Sequence, residues 1–127
     1  MTVFAEETLI AALENDYETK LLIKDKIFPV GGAQHVDPNY VTYRRVSTVP
    51  SSHLTGGGNL DQVRLEVGAW SRTALEAIVV ADTIRAAIHP IEGEGCGTFQ
   101  NQQAPSFDIE TGHWGVTTDY FIWQERT

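Results

Sequence analysis

The sequence predicts an α+β fold in which an antiparallel β-sheet carries its helices on one face. Three observations lead there. Alternation of period two is clearest over LDQVRLEVGAW (60–70), where Val63, Leu65, Val67 and Ala69 interleave with Gln62, Arg64, Glu66 and Gly68. Helical spacing is clearest over TALEAIVVADTIRAAIHP (73–90), where Ala77, Ala81, Ile84 and Ile88 share a face. The strands come in pairs joined by glycine-rich connections, in the order α, β, β, α, β, β. A parallel sheet would need helices alternating regularly with strands.

Each element has a local cause. Thr2 can cap a first helix, with Glu6 and Glu7 near its positive end and Ala5, Leu9, Ala12, Leu13 and Tyr17 at helical spacing. A further turn or two follows through Glu18 to Ile23 with Asp16 as cap, and the short apolar group Ile27-Phe28 stops at Pro29, a residue of strand ends and edges. GGAQHVDPN (31–39) has loop composition, and YVTYRRVST (40–48) brings β-branched and aromatic residues in a strand. Arg44 and Arg45, neighbours on that strand, must point to opposite faces, so they pair with acids separately and form no basic patch. Thr73 and Glu76 have capping-box spacing before the long helix, and Pro90 is expected just past its end. A strand near Thr98 to Gln102 follows, then a turn at Glu110-Thr111-Gly112. The closing strand HWGVTTDYFIWQE sets Trp114, Val116, Thr118, Tyr120 and Ile122 on one side. The other sheet face then carries Tyr40, Trp70, Phe121 and Trp123 in some combination, large aromatics on a wet surface that hint at a partner.

At 127 residues with no dividing linker, the chain is expected to be a single domain, 1–127. Seventeen acidic residues against nine basic give a net charge of −8, the wrong sign for affinity gained by releasing phosphate counterions, so specific nucleic-acid binding is not expected. No run approaches the roughly 20 apolar residues that cross a bilayer, and MTVFAEETLI has acids where a secretory signal is basic, so no membrane partner is expected and synthesis is cytoplasmic.

The search for chemistry finds none. Gly56-Gly57-Gly58 lies between strands, and the glycines of Gly93 to Gly97 follow a helix; a phosphate loop needs a strand before it and a helix N-terminus after it, so both are turns. His35, His53, His89 and His113 lie in four separate segments, and the pairing of His35 with Asp37 lacks a third and fourth metal ligand. The lone Cys96 would be a nucleophile only if a histidine approached it and, set among glycines, reads as an inert small residue, and Glu14, Asp16 and Glu18 are most simply a solvated face. No catalytic, metal-binding or cofactor-binding residue is assigned, and no cofactor is expected.

Taken in order, the N-terminal helix running into LLIKDKIFPVGG, the strand YVTYRRVSTVP, the strand VRLEVGAW, the helix EAIVVADTIRAAI, FDIETGHWG and the closing YFIWQE resemble the tail-completion family of long-tailed bacteriophages over nearly the whole chain. The resemblance implies a tail-terminator-like fold and a non-enzymatic virion protein at the head–tail junction. It implies a homo-oligomeric ring, commonly a hexamer, that stops tail-tube growth and meets the tail tube protein and the head connector proteins, with DNA passing through the ring. It supplies no catalytic or ligand residues. The alternatives are another connector or minor tail protein of the same virion, a small-molecule-binding α+β domain or enzyme, and an adaptor that binds a host protein through its exposed aromatics.

One segment is a candidate assembly contact. The connection from Val49 to Asn59 is longer than the about two to five residues usual for a hairpin, and within it Ser52, His53, Leu54, Thr55, Gly56, Gly57 and Gly58 offer little apolar surface and three successive glycines. The expectation is a loop that is mobile in the isolated subunit and ordered only against a neighbour or the tube.

Overall fold

A computed structural model of the protein describes residues 4–24, 26–30, 37–51, 60–93 and 97–125. The elements are α1 (Ala5–Glu14), α2 (Tyr17–Ile23), β1 (Ile27–Pro29), β2 (Tyr40–Ser51), β3 (Leu60–Ser71), α3 (Ala74–Gly93), β4 (Gly97–Gln102), β5 (Ser106–Asp108) and β6 (His113–Glu125). The strands form one six-stranded sheet in the order β1-β2-β3-β6-β4, with β5 beside β6 as well. Three long antiparallel strands, β2, β3 and β6, make its centre, and β4 and β5 lie end to end along the remaining edge of β6. The class is α+β, as expected. The sheet is mixed because the three-residue β1 pairs in parallel with the start of β2, Ile27 opposite Val41.

Helix starts follow side-chain chemistry. Asp16 caps α2, its carboxylate accepting from the Thr19 N–H at 3.0 Å and from the Thr19 hydroxyl at 2.8 Å. Thr73 caps α3, its hydroxyl accepting from the Glu76 N–H at 3.1 Å. At α1 the cap position is Phe4 and not Thr2, which lies outside the described residues; the Glu7 carboxylate reaches back to the Phe4 N–H at 3.2 Å, one half of a capping box. Tyr17 does not continue the buried stripe of α1, because the chain turns at Asn15-Asp16 and begins a new helix that leaves it exposed. Nor does Pro90 end α3, which runs on to Gly93. Proline removes only its own N–H bond and strains the carbonyl four residues back, a cost one last turn can bear.

α1 and α3 pack on the same sheet face, and α2 packs against these two helices. Ala5, Leu9 and Leu13 of α1 and Ala77, Val80, Ala81, Ile84 and Ile88 of α3 meet Val63, Leu65, Val67 and Ala69 of β3 and Val116, Tyr120 and Ile122 of β6, all buried. The alternation of β3 places its apolar half in this core. A bulge in β2 between Arg45 and Ser47 shifts the register against β3. Arg45, before the bulge and in step with Val41 and Tyr43, faces the helix side, where it grips Glu6 of α1 through two hydrogen bonds of 2.8 and 2.5 Å. Arg44 points the other way and pairs with Glu66 at 3.0 Å. The two adjacent arginines thus serve opposite faces, as strand geometry requires.

Candidate functional site

No described element covers the second face of the sheet, which the register builds row by row. Tyr40, Trp70 and Gly115 lie side by side, then Thr42, Gly68 and Thr117, then Arg44, Glu66 and Asp119, with Phe121 and Trp123 further along β6. The four aromatics expected on this face are therefore on it, and Trp70, Phe121 and Trp123 are half-buried there.

Trp70 is held by what its neighbours lack. A Cβ on Gly115 would come within 2.6 Å of the indole Cζ3, and one on Gly68 within 2.8 Å of Nε1, so the ring lies flat across two glycines of adjacent strands. Its N–H donates to the Thr42 hydroxyl at 2.9 Å. Tyr40 stacks on it with ring centroids 6.2 Å apart, and the Tyr40 hydroxyl meets His113 Nδ1 at 3.1 Å. Burial pushes the Tyr40 phenol above its ordinary pKa, and the nearby Asp108 charge adds to this. Beyond the aromatics, Arg44 with Glu66 and Arg64 with Asp119 form a short ladder of ion pairs, the second at 2.5 Å with Asp119 buried.

Trp70, Thr42 and Thr117 floor a groove of about 460 Å³, walled by Val30 after β1 and by Asp108, Glu110 and Thr111 of the β5–β6 turn. That turn closes as expected at 110–112. The Asp108 carboxylate accepts the Glu110 N–H at 3.0 Å, and Gly112 takes φ +75°, the left-handed conformation that glycine adopts without strain. The wall is thus a shaped turn with two acids on its rim.

Of the residues weighed for chemistry, the loop from Ser52 to Gly58, with His53, lies outside the described residues, as do His35 and Cys96. His113 bonds Tyr40, and the Asp37 backbone carbonyl accepts from Lys26 Nζ at 3.0 Å. Asp16 is a helix cap, and Glu14 and Glu18 are exposed. Among the described residues no group of histidine, cysteine and carboxylate side chains could hold a metal ion, and no helix is long and apolar enough to cross a membrane. The feature that remains is the outer sheet face with its aromatics and groove. Sequence reasoning found its aromatics but missed Val30, Asp108 and the glycine seat. The only signal was the small residues spaced around Trp70, in VGAW and HWGV.

A family model for tail completion protein gp17 matches residues 7–125. The chain belongs to this family. It is accordingly a structural component of a bacteriophage tail and not an enzyme. Two solved structures share the tail-completion fold. The gp17 protein of bacteriophage SPP1 is 14% identical, covers 92% of this chain and 86% of its own, and gives a TM-score of 0.55. A chain from the virion of the native gene transfer agent particle is 10% identical, covers 92% of this chain and 91% of its own, and gives 0.61. At such identities the likeness concerns the fold alone. No curated protein matches the chain in sequence.

Proposed function

We propose that this tail-completion protein acts at the head–tail junction as a homo-oligomeric ring that ends the tail tube and joins it to the head connector. The observation that carries the reading is the family match over nearly the whole chain. Residues 1–127 act as one domain; the contiguous core that draws on all three helices and the central strands supports this. A ring subunit needs two different surfaces for its neighbours. The uncovered sheet face, with half-buried aromatics, is suited to be one of them.

The loop Ser52, His53, Leu54, Thr55, Gly56, Gly57 and Gly58 is the proposed contact with the tail tube protein or the connector. Its support is connectivity: it links the ends of the paired twelve-residue strands β2 and β3. A chain of net charge −8 would also let DNA pass through the ring without sticking. The experiment is gold labelling of a tagged subunit in intact particles. Label confined to one point between head and tail is expected; label along the tube or at the distal tip contradicts the reading.

A further inference from the structure

The outward side of α2 carries a stripe that the fold does not use. Tyr17, Lys20 and Leu21 stand three and four residues apart and so share one face of the helix, with Lys24 at the C-cap just beyond it, while Thr19 and Ile23 are buried against the domain. Tyr17 is 72% and Leu21 59% exposed, two large apolar side chains one turn apart with a lysine beside each. Basic groups are scarce in this chain, and Arg44, Arg45 and Arg64 are held in pairs within the subunit. Lys20 and Lys24 form no ion pair among the described residues. Neither do Asp108 and Glu110, the two acids on the rim of the outer groove.

We propose that the groove on the outer sheet face receives α2 of a second copy of the chain. Tyr17 and Leu21 enter it over Trp70 and Val30, and Lys20 and Lys24 meet Asp108 and Glu110. The inference rests on the ring reading above and names its subunit contact. Apolar groups match apolar groups and bases match acids. The two surfaces also lie on opposite sides of the sheet, since α2 packs with the helix layer and the groove opens on the other face. One subunit can therefore use both at once, which is the condition for a head-to-tail contact that closes into a ring. The groove volume, about 460 Å³, can take large side chains.

The test is a disulfide in assembled tails. In full-length protein with Cys96→Ala, the pair Leu21→Cys and Thr111→Cys should give, on oxidation, a ladder of covalent oligomers ending in a closed species, while each single variant gives none. No ladder, or a groove cysteine joined to a protein of another mass such as the tube subunit, overturns the proposal. Amine cross-linking of unaltered particles separates the two failures. Oligomers there without the disulfide ladder leave the ring standing and remove only this contact, whereas no oligomers in either remove both. Independently, Lys20→Glu/Lys24→Glu, on an exposed face, should cut oligomer yield by about tenfold or more, as loss of close interfacial charge pairs does. Adding Glu110→Lys to that chain should restore part of the yield. No recovery contradicts the charge pairing.

Discussion

At the scale of single residues, two contacts hold the faces of the sheet. Trp70 rests on Gly68 and Gly115, and any side chain at Gly115 collides with the indole. Gly115→Ala should push the ring off its seat, weaken its bond to Thr42 and cost about 1–3 kcal/mol in denaturant unfolding, with altered tryptophan fluorescence. Wild-type stability and an unchanged spectrum would show that the indole has other room. On the opposite face, hydrogen bonds from Arg45 hold the Glu6 carboxyl below its ordinary pKa, against the opposing effect of burial. A carboxyl whose pKa is lowered by folding stabilises the fold above its unfolded pKa, near 4.5, and that stability is lost as pH falls through the lower folded value. Glu6→Gln should therefore lower stability at neutral pH and flatten its decline on acidification. A decline as steep as in the parent would mean that other carboxyls govern acid unfolding.

At the scale of elements, legibility in the sequence followed how local each cause is. The caps at Asp16 and Thr73 act within three residues and both form, although at α3 only the Thr73 half of the expected capping box is made and the Glu76 carboxylate accepts from the Ser71 hydroxyl. Asp16→Ala should cost about 1 kcal/mol, a typical value for a lost N-cap, and a change below a few tenths would mean that tertiary packing alone holds α2. The alternation in β3 and β6 was equally plain, because one side of each strand turns its apolar residues to the helices while the other carries the polar and aromatic residues of the outer face. The start of α1, the passage of α3 through Pro90 and the parallel pairing of β1 were not visible, since each depends on what packs nearby. Tyr17 is the instructive case. Its spacing from Leu9 and Leu13 fits one continuous helix, but two short helices meet at Asp16 and turn it outward. The aromatics of the outer face were legible from alternation, whereas the groove was not, because residues far apart in the chain, Val30 and Asp108 to Thr111, wall it together.

At the scale of the whole molecule, helices cover one sheet face and no described element covers the other, an asymmetry that suits the proposed ring subunit. The hairpin loop belongs to this scale. Removing Ser52 to Gly57 should leave thermal unfolding nearly unchanged, since Leu54 is the one large apolar residue in this stretch, yet it should prevent joined, infectious particles. Normal particles from the deletion would remove the loop from the contact, and an unfolded subunit would put it in the core. The central claim is the junction role itself, and electron microscopy of a lysate from a phage lacking this gene tests it most directly. The account predicts filled heads and separate tails that fail to join. Normally joined, infectious particles would contradict it.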